Sequence, residues 1–517
     1  MAQWNKDAQE YRAQDTTNFE VINIASKDGE QISDDNPLPV SIGGESVTIT
    51  GSVTIPGNIE IANEDGNPIP THAHLYDESD NEYSSSNPLT VDGTVNIGTM
   101  PEVEIKNDTG NPIPVTLPAM TGDAFGRLRV SNPLTLFDSS HRFRDNNLWS
   151  TGLTGVGATV SFSVTEGLVN LDVGTVSGEE VIRETTKVFA YQPGKSLLIL
   201  NTFAMNPAKT NLRQRVGYGG SANGIYLELD GTTLNVVERT SVTGSVTETR
   251  VPQSSWNIDT VGAGALNPSG VTLDISKAQI IFTDIEWLGL GTVRVGFVID
   301  GQFIHCHSFH HANLITSTYI TTASLPLRYE ITNTGTTTSS SMMKQVCSTV
   351  ISEGGYELRG LQQAIGTLIT APKTLTTAGT YYPIVSLRLR SSPDRLDAIV
   401  IMTALSAMGE ADSDYNWQVI ASGTTGGGSW VSAGADSAVE YKLDGTSITG
   451  GRILASGFMN TSKNSSGSID ILKEALFKFQ LERDSLNGVA YELSLCAAAA
   501  GNGKEIFGSV DWEEVSR

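Results

Sequence analysis

The feature that most limits how this chain can fold is a phrase that keeps returning in its first 150 residues. Asn36-Pro37-Leu38-Pro39-Val40 is followed by Asn67-Pro68-Ile69-Pro70-Thr71, Asn87-Pro88-Leu89-Thr90-Val91, Asn111-Pro112-Ile113-Pro114-Val115 and Asn132-Pro133-Leu134-Thr135-Leu136. Two copies share a longer frame, IANEDGNPIP from Ile61 and IKNDTGNPIP from Ile105. Each unit reads as a short alternating strand with one apolar face, a Gly turn, and an extended Asn-Pro step without a backbone donor. Such a unit is too small to bury its own apolar face, so it must stack on neighbours or on copies of the same chain. The copies are 20 to 31 residues apart, which argues for a thin shaft with variable loops rather than a strict solenoid.

From this follows an organisation for all 517 residues. Residues 1–18 read as an N-terminal arm whose large apolar groups are Trp4 and Tyr11. They are either a frayed end or a peptide that anchors on a particle. Residues 19–125 are the β-repeat shaft. Residues 126–148 are a junction dense in arginine (Arg127, Arg129, Arg142, Arg144), read as pairing with neighbouring carboxylates. Residues 149–355 predict a β-sandwich, with strands over 158–164, 187–191, 196–204, 224–229, 235–239, 279–288, 292–299 and 302–309. Turns such as Asp230-Gly231 and Asp300-Gly301 punctuate them. Residues 356–517 predict a second sandwich, with strands over 384–389, 398–404, 417–421, 439–443, 475–482 and 490–496. The fold class expected is all-β: an arm, a thin shaft and two jelly-roll-like sandwiches. Trimerisation is expected because a thin shaft can bury its apolar faces around a shared axis.

Charge excludes one class of partner. The net charge is −24, which leaves no basic field for a nucleic-acid backbone. The three cysteines, Cys306, Cys347 and Cys496, are far apart, so neither a disulfide framework nor a cysteine zinc site is expected. The first twenty residues hold no apolar core of a secretory signal, and the apolar runs are too short to predict a membrane span. A reducing compartment is therefore expected, with no membrane insertion.

Certain phrases point further. GDAFGRLRVSNPLTLFDSSHRFRDN, DIEWLGLGTVRVGFVIDGQFIHCHSFHHAN, CSTVISEGGYELRG, LFKFQLERDS and the terminal VDWEEV occur in this order over residues 120–517. Together they resemble virion structural proteins of tailed phages of marine and other aquatic bacteria, especially fibre-like or appendage proteins. The resemblance implies a component of the particle; together with the repeat shaft, the sandwich patterns and the N-terminal arm it leads to the expectation of a homotrimeric appendage on the head, neck or tail, in contact with other virion proteins through that arm. Such an appendage is expected to assemble in the host cytoplasm and to contact a host-surface glycan or protein. A glycan-binding module and a capsid decoration protein are the alternatives, with a polysaccharide-cleaving tailspike behind them.

Motifs for chemistry are sparse. A glycan hydrolase needs two carboxylates about 5–10 Å apart in one cleft. The acidic clusters Glu410/Asp412/Asp414 and Asp511/Glu513/Glu514 read instead as solvated loops, and no GxSxG, Walker A or HExxH motif is present. No catalytic residue and no cofactor is expected, and the chain is read as not an enzyme. Trp417, Trp430, Tyr415 and Tyr441 are candidates for stacking on sugar, although sandwich aromatics are usually core. His305 and His307 would share one face of a regular strand, as a metal pair or as a polar face that carries histidine. His72 and His74 in the shaft could bring six imidazoles to a trimer axis, an octahedral set suited to iron or nickel. The competing reading is a solvated loop beside Asp77, Glu78 and Asp80.

Overall fold

A computed structural model of the chain describes residues 132–410, 412–461, 467–470 and 479–516. They belong to one compact unit, Arg129–Arg517. The arm, the shaft, Trp4, Tyr11, His72 and His74 lie outside the described residues.

Two lobes follow one another. The first begins with β1 (Leu134–Ser140), β2 (Trp149–Thr154), β3 (Thr159–Ser163), β4 (Leu168–Val173) and β5 (Glu180–Thr185). It continues with β6 (Leu197–Ala204), β7 (Leu212–Gly219), β8 (Gly224–Asp230), β9 (Thr233–Thr240) and β10 (Thr247–Pro252). It closes with β11 (Gln279–Ile285), β12 (Val293–Ile299), β13 (Gln302–Phe309), β14 (Leu327–Asn333) and β15 (Ser341–Ser352). The second lobe holds β16 (Leu361–Gly366), β17 (Lys373–Leu375), β18 (Tyr382–Leu389), β19 (Ile399–Gly409), β20 (Asp414–Gly426) and β21 (Val431–Ser432). After these come β22 (Val439–Lys442), β23 (Ser447–Asn460), β24 (Gly467–Asp470) and β25 (Arg483–Asp484). The last are β26 (Val489–Ala490), β27 (Glu492–Ala499) and β28 (Lys504–Ser516).

The first lobe is a sandwich of an eight-stranded sheet, β13-β12-β11-β6-β15-β4-β3 with β1 on β15, and a seven-stranded sheet, β10-β9-β8-β7-β14-β5-β2. All the pairings are antiparallel, so period-two alternation sorts side chains between core and outer face. On β6, Leu197, Ile199 and Phe203 point inward, and across the core Ile225, Leu227 and Leu229 of β8 do the same. The second lobe repeats the plan with β16-β28-β19-β24, β17 on β28, against β21-β22-β18-β27-β20-β23. Its core is built around Leu387, Val419, Leu495 and Trp512. The all-β sandwich class expected from the sequence is the class observed.

Three local expectations differ. Residues 134–140, placed in the junction, form β1 and complete the larger sheet by pairing with β15. Residues 187–191 are buried but form no strand. The Phe189 N–H donates to the Leu325 carbonyl, and the Val188 carbonyl accepts from Gln480 of the second lobe, so their hydrogen bonds leave the ladder. Of residues 475–482, the described part is not a strand either, and contributes a single bridge between Gln480 and Ile401. That segment instead docks the lobes together. Gln480 reaches Val188, the Arg483 N–H reaches the Thr186 carbonyl, and the Arg483 guanidinium pairs with Glu184 and Asp397 at 3.0 and 3.1 Å.

Candidate functional site

On the outer face of the eight-stranded sheet, Leu198, Phe282, Asp284, Arg294, Phe303, His305 and Glu353 line an open pocket of about 260 Å³. Alternation explains how they meet. Ile281, Thr283 and Ile285 of β11 turn inward, which leaves Phe282 and Asp284 outside, and Val293 and Val295 of β12 leave Arg294 outside. Asp284 lies directly opposite Arg294 in the ladder, and the two form an ion pair. Phe282 lies opposite Gly296, where a Cβ would come within 2.6 Å of the Phe282 ring, so the missing side chain makes room for the aromatic floor.

The β12–β13 hairpin supplies the other wall. Asp300 and Gly301 both take positive φ, the two-residue turn that Asp-Gly favours. The turn carries Phe303 outward. The residue is 57% exposed, and its ring meets Phe282 edge-on at 5.1 Å. Further along, β13 has a bulge: His307 is opposite Val295 and His305 is opposite Gly296, with Cys306 between them unmatched. The extra residue overturns the expectation that His305 and His307 share a face. His305 enters the pocket. His307 turns to the core side, packs edge-on against Phe309 at 4.7 Å and accepts the Asn257 N–H at 3.3 Å.

The electrostatics follow from burial and neighbours. Burial, then the nearby Glu353, pushes the Asp284 carboxyl up against the pull of Arg294. Burial lowers His305 below the ordinary histidine value and lowers His307 to about 4. His305 Nε2 lies 3.2 Å from the His307 carbonyl, which can only accept. The same nitrogen lies 2.9 Å from the Ser308 hydroxyl, which can donate or accept, so these partners hold the ring in place with either tautomer. Glu353 accepts from the Ser196 hydroxyl at 2.5 Å. The pocket thus offers aromatic surface, two carboxylates, a guanidinium and an imidazole, the groups that stack on a sugar ring and bond its hydroxyls.

The aromatic candidates taken from the sequence do not form such a site. Tyr415 and Trp417 face inward on β20 as part of the second core. The Tyr415 hydroxyl donates to the Glu505 carbonyl at 2.9 Å, and Gly457 packs on the Trp417 ring. Trp430 is half-buried with Arg388 at 4.3 Å and Lys442 at 4.7 Å from its ring centre, and Tyr441 packs against the core margin. Glu513 and Glu514, read as solvated, are buried. Glu514 accepts from Ser437, the Ala438 N–H and Trp512. In the junction, Arg142 lies 5.0 Å over the Phe143 ring. Among the described residues, no group of three or more His, Cys, Asp or Glu side chains is placed to hold a metal ion, and no helix is long and apolar enough to cross a membrane.

A second polar feature is the outer face of the seven-stranded sheet. Arg215 pairs with Glu228 at 2.6 Å and Glu248 at 3.2 Å. Glu330 takes Arg213 at 2.8 Å and Arg328 at 3.1 Å, and Arg328 also reaches Glu184 at 3.1 Å. Tyr226 lies under Arg239 at 5.0 Å. These charges satisfy one another, and burial with mutual neutralisation marks the lattice as structural.

No protein-family profile matches the chain, and no curated protein matches it. Solved structures with similarity include a family 16 glycoside hydrolase of a Bacteroides ovatus mixed-linkage glucan locus, in complex with an oligosaccharide product. It shares 10% identity over 42% of this chain and 99% of that one, with a TM-score of 0.30. The CBM2 module of the evolved Dit of Lactobacillus casei BL23 phage J-1 shares 6% identity over 44% and 100%, with a TM-score of 0.29. The Bacillus licheniformis β-glucanase shares 12% over 43% and 99%, with a TM-score of 0.28. At these scores the similarity carries no inference about what this chain binds or does.

Proposed function

We propose that the chain is a structural, non-enzymatic appendage protein of a tailed-phage particle that engages host-surface glycan through the outer face of its first sandwich. The observation that carries the glycan reading is the pocket, in which exposed Phe303 and the Phe282 ring stand beside Asp284, Arg294, His305 and Glu353. The phrases of residues 120–517 support the particle role, and the repeats of residues 19–125 support a trimeric shaft. Binding rather than cleavage is favoured because both carboxylates are engaged by protein groups, Asp284 by Arg294 and Glu353 by Ser196.

A glycan array with the full chain and with Phe303→Ala tests the reading. The wild type binds a defined set of glycans, and the variant, which loses an exposed ring and keeps its fold, binds them at least tenfold more weakly. Unchanged binding by the variant, or release of shortened oligosaccharides by the wild type, overturns it.

A further inference from the structure

The pocket also carries information about which glycans enter it, an inference that rests on the binding reading above. Its lining sets two carboxylates, Asp284 and Glu353, against one guanidinium, Arg294. That guanidinium is not idle: it sits opposite Asp284 in the ladder and is ion-paired to it. Glu353 is held from behind. Its N–H donates to the Ser196 carbonyl at 3.0 Å, and its side chain accepts from the Ser196 hydroxyl. Its charge is felt across the pocket, since it adds to the burial that raises Asp284. The imidazole of His305 adds little positive charge, because burial disfavours its charged form and its Nε2 is engaged by the His307 carbonyl and the Ser308 hydroxyl.

The polar lining thus sets two carboxylates against one guanidinium, which is already ion-paired to one of them. Acceptors call for donors, and a sugar supplies them as hydroxyls. A carboxylate offers about four lone-pair sites, so Asp284 and Glu353 can still accept sugar hydroxyls while held by Arg294 and Ser196. A uronate, sialic acid or sulfate would instead bring a third negative charge into a partly desolvated pocket where like charges disfavour one another. The protein's charge of −24 adds a repulsive field on approach.

We propose that the pocket selects uncharged sugars that present neighbouring hydroxyls, stacked on Phe303 and Phe282, and excludes anionic glycans through Asp284 and Glu353.

The test is calorimetric titration of the full chain with neutral hexasaccharides (cello-, laminari-, malto- and chito-hexaose) and with hexagalacturonate, at low and high salt. The expected result is binding of at least one neutral hexasaccharide, with hexagalacturonate at least tenfold weaker and its deficit reduced by salt. Glu353→Gln should raise hexagalacturonate affinity severalfold while changing the neutral ligand less. Hexagalacturonate binding as tightly as the best neutral ligand, or indifference to Glu353→Gln, overturns the charge selection and leaves the binding reading standing. Binding of no saccharide of either kind, or neutral binding that survives Phe303→Ala, overturns the binding reading and the selection with it.

Discussion

At the scale of single residues, two buried histidines respond to pH with opposite signs. His311 places Nδ1 2.6 Å from the Gly291 carbonyl and Nε2 2.8 Å from a Glu238 carboxylate oxygen, and stacks on Tyr319 at 3.9 Å. Both partners are acceptors, so both nitrogens donate and the ring is an imidazolium. Burial opposes that charge, but the Glu238 bond, the Gly291 bond and the charge of Glu238 outweigh it and raise the pKa. A raised folded value means stability present in full below the unfolded value, about 6.5, and lost as pH rises through the folded value. His307 is the reverse case. Burial lowers it to about 4, so stability is lost as pH falls from about 6.5 towards 4. Thermal melts between pH 4 and 9 should show both limbs. His311→Gln should flatten the alkaline limb alone; an alkaline limb unchanged in that variant would refute the imidazolium.

At the scale of elements, the seven-stranded sheet carries its ion lattice on strands that otherwise look like ordinary alternating β. Glu330 of β14 is its hub. Burial works against its charge, yet Arg328, Arg215 and Arg213 hold the carboxyl down at about 2. A depressed folded value contributes stability above the unfolded value, about 4.5, that is lost as pH falls towards 2. Glu330→Gln takes one counter-charge from Arg213, Arg215 and Arg328, of which Arg215 keeps Glu228 and Glu248 and Arg328 keeps Glu184, and costs about 1.5–3 kcal/mol. Urea unfolding at pH 7 reads this as a lower midpoint, and a shift below about 1 kcal/mol would show the lattice to be dispensable. The β13 bulge belongs to this scale too. One unmatched residue, Cys306, decides that His305 enters the pocket and His307 does not.

At the scale of the described unit, the segment around Arg483 ties the two lobes together. Arg483 is buried and ties β5 of the first lobe, through Glu184 and the Thr185 carbonyl, to Asp397 of the second. Ile399 and Ile401 of β19 also join the first lobe's hydrophobic cluster. The lobes should therefore unfold together. Arg483→Ala removes one of two guanidinium partners of buried Glu184, the other being Arg328, costs about 1.5–3 kcal/mol, and should split a single calorimetric transition into two. A single transition of unchanged midpoint would mean that the apolar contact alone couples them.

Much of this was open to reading from the residues alone. Alternation in 279–288, 292–299 and 302–309, and Asp-Gly at 300–301, are local signals, and local sterics and burial periodicity were enough to place those strands and their turn, although the first ends earlier, at Ile285. The same signals identified an all-β chain of two sandwiches. They were not enough for residues 187–191, whose β-like composition serves a buried segment bonded to Leu325 and Gln480, nor for Tyr415 and Trp417, whose inward facing depends on what β20 packs against. The pocket was legible only in pieces. Its residues run from Leu198 to Glu353, and they meet because β6 pairs with both β11 and β15 across long separations in the chain. Side-chain period and turn chemistry are properties of neighbouring residues, so the sequence determined them by itself. Strand partnership, the bulge and the burial of Glu330 and Arg483 depend on long-range pairing and shared desolvation, which only the tertiary structure decided.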